Sequence, residues 1–102
     1  MRIISRRALL EFWQQFPTAQ KPLSEWYEKA QKAKWSKFSD VKATFGQTDL
    51  ATVASGNTVA VFDIGGNKFR LIAAIHYNTA KVFVLRVLTH PQYDTNKWKE
   101  QL

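Results

Sequence analysis

Cysteine is absent from the 102 residues, which excludes disulfides, a thiolate nucleophile and cysteine-ligated zinc. Histidine is nearly absent. With only His76 and His90, a zinc site would need carboxylate help, and the carboxylates show no ligand spacing. Acidic residues are scarce: eight against fifteen Lys and Arg, a net charge of +7. No stretch approaches the roughly 18 apolar residues of a membrane-spanning helix. The opening "MRIISRRALLEFWQQF" carries early positive charge, but Glu11 and two glutamines interrupt its apolar run. It does not read as a secretory signal, and the expectation is a soluble cytoplasmic protein.

What is present is a core. Apolar residues make up 45% and aromatics 14%, enough to offset the entropy of ordering one domain spanning residues 1–102. A small folded domain this basic meets something anionic: nucleic acid, an acidic protein or a membrane surface. The charge is spread along the chain. Residues 1–50 carry nine Lys/Arg against five Asp/Glu, and residues 51–102 carry six against three.

"RIIS" (2–5) reads as a first strand, with Ser5 capping a helix over 6–16. Leu9, Phe12, Trp13 and Phe16 form its apolar face, and Pro17 ends it. A second helix fits 19–34, with Pro22 in its first turn and Leu23, Trp26, Tyr27, Ala30 and Ala33 as its stripe. "SDVKATFG" reads as one or two helical turns, with Ser39 as cap and Gly46 as stop. Residues 47–57 carry little signal. Strands are expected over 58–64, 68–77 and 81–89, joined by turns at Gly65-Gly66 and Asn78-Thr79-Ala80. A final helical turn fits the C-terminal tail. The order β-α-α-β-β-β suggests an α+β domain, two helices on one face of a twisted, mainly antiparallel sheet.

Strand parity sorts the side chains. A two-residue turn at Gly65-Gly66 would pair Asp63 with Lys68 and Val61 with Arg70. A three-residue loop at 78–80 would pair Ile72 with Arg86 and Arg70 with Leu88. Ala60, Phe62, Ile64, Phe69, Leu71, Ala73, Phe83, Leu85 and Val87 then share a face for the helices to cover. Lys68, Arg70 and Arg86 share the other, with His90 opposite Lys68. A two-residue loop at the second turn would send Arg86 to the core side, where an unpaired charge is costly. A solvated sheet face with scattered charges is the plain alternative.

"GGNKFRLI" (65–72), "THPQYD" (89–94) and "KWK" (97–99) resemble the HigB-type toxins of bacterial type II toxin–antitoxin systems, members of the RelE-like group. "EFW…P", "PLSEWY" and "DVKATFG" look like that family too, so the resemblance covers nearly the whole chain. It implies a RelE-like fold and an endoribonuclease that cuts mRNA, typically in the ribosomal A site. It also implies a cognate antitoxin, usually a HigA-type helix-turn-helix protein. Two positions depart from the family pattern. Leu85 stands where an arginine is often found, one residue before Arg86, and Asp63 stands where asparagine is expected.

Metal-free RNA cleavage can use the substrate's own 2′-hydroxyl as nucleophile. It needs a base, charge stabilisation at phosphorus and an acid for the leaving 5′-oxygen. Arg70 and Arg86 suit the middle role, because guanidinium forks onto phosphate oxygens, and Lys68 adds a point charge. His90 is the natural acid or base. Tyr93 is a base if neighbouring cations lower its pKa, and otherwise a stacking platform. Asp94 can orient His90 or Tyr93, or cap a helix. Lys42, Asn67, Asp94 and Trp98 complete the candidate RNA contacts, Lys42 together with the second-helix lysines toward ribosomal RNA. Trp98 could equally be core. No cofactor is called for. Two other functions remain open, a gyrase-poisoning toxin of the same fold and a plain RNA-binding domain.

Overall fold

A computed structural model describes residues 1–102. The Ser5 hydroxyl oxygen accepts from the Arg7 N–H at 3.1 Å and caps α1 (Arg6–Gln15). Phe16, ahead of Pro17, leaves helical geometry, and a short 3₁₀ turn over Pro17–Ala19 leads into α2 (Gln20–Lys32). α3 (Phe38–Thr44) starts earlier than expected, so Ser39 lies inside it. Its entry is held instead by the Asp40 carboxylate, which accepts from the Ser36 N–H and hydroxyl, both at 2.9 Å. Those bonds hold the Asp40 carboxyl below its usual range.

The expected α+β architecture is the one observed. The sheet has five strands in the order β1-β5-β4-β3-β2: Arg2–Ile4, Lys81–Thr89, Phe69–His76, Thr58–Ile64 and Thr48–Thr52. β1 runs parallel to β5, and every other pairing is antiparallel. β2 went unread in the sequence because "TDLAT" is an edge strand with only Thr48 fully buried. The tail forms two short helices, α4 (His90–Asp94) and α5 (Lys97–Gln101), rather than one turn.

α1 and α2 pack on the sheet face carrying Ala60, Phe62, Ile64, Leu71 and Ala73. Phe62 is the hub. It is 1% exposed, with the Trp26, Phe45 and Trp35 rings at 5.3, 5.5 and 6.4 Å. Burying such a side chain contributes on the order of 1.5–3 kcal/mol.

Both turns differ from expectation. The first spans four residues, Gly65 to Lys68, with both glycines at positive φ (65° and 73°). Asp63 therefore pairs with Arg70, not Lys68, and Val61 with Ile72. The shift is even, so each side chain keeps its face. The second turn is also four residues, 77–80, closed by Ala80 in the left-handed region. Alone it would have sent Arg86 to the helix side. A bulge at Leu85 cancels the slip: His76 pairs with Lys81 and Ala73 with Val84, yet Ile72 still faces Arg86 and Arg70 faces Leu88. Leu85 lands among the residues of the opposite face, while Val82 and Val84 replace Phe83 and Leu85 on the helix face.

The opposite face is not simply solvated. Val53, Val59, Val61 and Ile72 form a second apolar cluster on it, which Trp98 of α5 roofs at 3% exposure.

Candidate functional site

Arg70 is the centre of the site, and its placement follows from register. Opposite Asp63 on the paired strand, its Nε lies 3.1 Å from Asp63 Oδ1. Its Nη1 donates to the Phe69 carbonyl at 3.2 Å, and its Nη2 donates to Asn67 Oδ1. Arginine has no acceptor, so the Asn67 amide must present its oxygen. The guanidinium carbon also lies 5.3 Å from the Tyr93 ring centroid. The side chain is only 10% exposed, which four partners make tolerable.

α4 follows β5 directly. A capping box fixes its start: the Gln92 N–H donates to Thr89 Oγ1, and the Gln92 side chain accepts from the Thr89 N–H. The His90 N–H donates to the Lys68 carbonyl at 3.0 Å, so His90 lies opposite Lys68 as the parity reading expects. One helical turn on, Asp94 Oδ2 sits 2.9 Å from His90 Nδ1. That contact leaves Nε2 as the free ring nitrogen. Both partners are partly exposed, 37% and 58%, so the pair orients the ring more than it stabilises the fold.

Tyr93 stacks on Trp98 with centroids 5.4 Å apart, and the Trp98 indole N–H donates to the Tyr93 carbonyl at 3.1 Å. Trp98 thus braces Tyr93 from within the second core and has no open face for a base. Burial pushes the Tyr93 phenol up. The Arg70 charge works against that, while Asp49, Asp63 and Asp94 add to it. The condition for a tyrosinate base is therefore not met, and the Tyr93 ring is packed against Trp98 and Arg70.

Arg86 reaches the same face through the bulge and donates to the Leu85 carbonyl at 2.7 Å. Lys68 is exposed at the end of the turn and in no ion pair. Lys42 lies apart, on the exposed side of α3. The structure therefore gathers Asn67, Lys68, Arg70, Arg86, His90, Tyr93 and Asp94 at one end of one sheet face. Sequence reasoning missed Asp63 as a partner of Arg70, because the turn length hid the pairing. A cleft on this face, about 400 Å³ and lined by Asn57, Ala74, His76, Leu85 and Leu102 among others, holds none of these cations. The cationic end is open surface, suited to a polymer rather than to an enclosed small molecule.

Three cations face two carboxylates here, so the site is only mildly positive. Five further lysines, Lys29, Lys32, Lys34, Lys37 and Lys42, run from α2 through the connection after it into α3. None lies in an ion pair, and all five are exposed. No three His, Asp or Glu side chains gather as metal ligands. No helix is long and apolar enough to cross a membrane.

A family model described as the HigB toxin, RelE-like toxic component of a toxin–antitoxin system, matches residues 19–96. The chain is 27% identical over 94 residues to the mRNA interferase toxin HigB of Escherichia coli (strain K12), covering 92% of this chain and 88% of that protein. The mRNA interferase HigB of Escherichia coli O6:H1 is 28% identical, covering 92% and 89%. The mRNA interferase HigB of Shigella flexneri is 27% identical at the same coverage as the K12 protein.

Proposed function

The chain belongs to the HigB family of RelE-like toxins, and from that premise we propose that it is an endoribonuclease that cuts mRNA on the translating ribosome. The observation that carries this reading is the convergence of Arg70, Arg86, Lys68 and the His90–Asp94 pair on one open face. The substrate's 2′-hydroxyl attacks phosphorus, the 5′-oxygen leaves, and a 2′,3′-cyclic phosphate remains. Arg70 and Arg86 stabilise the charge that builds on the phosphoryl oxygens. His90 takes the 2′-hydroxyl proton at Nε2, its ring oriented by Asp94 at Nδ1. The neutral Tyr93 phenol donates to the departing 5′-oxygen. What supports a metal-free route is the donor set: cationic side chains surround the site, and its His and Asp residues do not gather in threes as metal ligands.

The lysine arc supports the ribosome as the platform. The site itself is close to neutral, so affinity for a polyanion has to come from elsewhere. Lys29, Lys32, Lys34, Lys37 and Lys42 offer sequence-independent phosphate contacts on the helix side. A partner touching both the arc and the site must be large and folded, as ribosomal RNA is. As the toxic component of a toxin–antitoxin pair, the protein has an antitoxin partner. We take that partner to be a HigA-type helix-turn-helix protein, and the cytoplasm, where mRNA is translated, to be the place of action.

Brief expression in bacteria, with new RNA 5′ ends mapped across translated and untranslated transcripts, tests this. New 5′-hydroxyl ends inside translated frames are expected, and they should vanish with a folded His90→Ala variant. Growth arrest with intact mRNA would overturn the nuclease reading and move the target to gyrase or elsewhere.

A further inference from the structure

Arginine has five N–H donors. In Arg70 one is donated to the Phe69 carbonyl through Nη1 and one to Asn67 through Nη2, while Nε lies 3.1 Å from Asp63 Oδ1 in an ion pair. One N–H on each terminal nitrogen is left, and the Tyr93 ring packs against the plane. We propose that Asp63 is the positioning residue for Arg70 in RNA cleavage: it holds Nε so that the two terminal N–H groups remain for the scissile phosphate. The inference rests on the nuclease reading above.

The placement is built into the backbone. Asp63 and Arg70 are direct cross-strand partners, and the four-residue turn through Gly65 and Gly66 sets that register. The same turn carries Asn67, so one hairpin provides both anchors. An arginine side chain has many rotamers. Fixing it in the free protein means that the ordering is complete before substrate arrives. A carboxylate in a phosphate-binding site would otherwise only weaken binding, since it subtracts from the positive field. Its cross-strand placement against Nε, at 25% exposure, is what a positioning role requires and a mere damping charge does not.

The two roles separate in one experiment. Wild type, Asp63→Ala and Asp63→Asn are compared by single-turnover cleavage on programmed ribosomes, by ribosome affinity, and by the NMR signal and exchange rate of the Arg70 Nε–H. Asp63→Ala is expected to cut on the order of 10²-fold more slowly. Its ribosome affinity should be unchanged or tighter, because a negative charge is gone. Asp63→Asn keeps an acceptor for Nε and should recover most of the lost rate. The protected Nε–H signal should persist in wild type and Asp63→Asn and vanish in Asp63→Ala. Cleavage by Asp63→Ala at the wild-type rate or faster would overturn the proposal and leave Asp63 as a damping charge. So would a loss that falls entirely on affinity, or equal exchange of the Nε–H in all three proteins. If wild type cuts no RNA, the nuclease reading fails, and the Nε–H comparison still decides whether Asp63 positions Arg70.

Discussion

Replacing Arg70 by lysine keeps a positive charge beside Asp63 and removes the fork. Lysine concentrates its donors on one nitrogen at the end of a flexible stem, so it cannot span Asp63, Asn67 and a phosphate together. The two N–H groups left for substrate are the part that matters for chemistry. Removing one preorganised contact to charge that develops in the transition state costs about 2–4 kcal/mol. At about 1.4 kcal/mol per tenfold, the chemical step should slow by roughly 30- to 700-fold. Ribosome affinity should hardly change, because the total charge is the same. Folding should weaken modestly, since the hydrogen bonds to Phe69 and Asn67 are lost at roughly 1–3 kcal/mol. For a domain of this size that lowers Tm by about 4–8 °C per kcal/mol. Single-turnover cleavage well below Tm isolates the chemical step. A rate within about threefold of wild type, far short of the expected loss, would refute the assignment of Arg70, as would a loss residing wholly in affinity.

Asp94→Ala should slow cleavage about tenfold by freeing the His90 ring, with little change in Tm because the pair is substantially exposed; a large Tm drop would mark it as structural instead. Trp98→Ala should cost about 3–5 kcal/mol by opening the second core and should release Tyr93 as well, whereas Leu50→Ser, on a residue 51% exposed, should leave thermal unfolding unchanged. Tyr93 should ionise only above its ordinary value near 10, read by phenolate absorbance. Because its folded value lies above the unfolded one, its stabilising contribution is complete below about pH 10 and lost as the pH rises through the folded value; Tyr77, raised by burial, acts in the same sense. Unfolding midpoints flat across that window would contradict this.

Much of the architecture was legible. The aromatic spacing of α1, the Ser5 cap, Pro17 and the strand alternation all act locally, and local physics sets them. The turns were harder. A two-residue and a four-residue loop at Gly65-Gly66 give identical parity, so the faces came out right while the partner of Arg70 did not. At the second turn the opposite happened. The loop is even, which should have turned Arg86 inward, and the bulge at Leu85 restores it. No residue type announces that bulge, although the departure from the family pattern falls at the same position. β2 and the roofing role of Trp98 depend on partners far away in sequence, which periodicity does not see. That Arg70 and His90 lie on one sheet face was legible from strand parity. The anchoring of Arg70 by Asp63 was not.

The most direct measurement uses the purified chain, a short mRNA, and ribosomes programmed with that mRNA, followed by analysis of the cut ends. Cleavage is expected only on the ribosome, leaving a 2′,3′-cyclic phosphate and a 5′-hydroxyl, and it should persist in the presence of a chelator. Cuts that leave 5′-phosphate ends, that need a divalent cation for the chemical step, or that appear equally on naked mRNA would contradict 2′-hydroxyl attack on a ribosome-presented substrate.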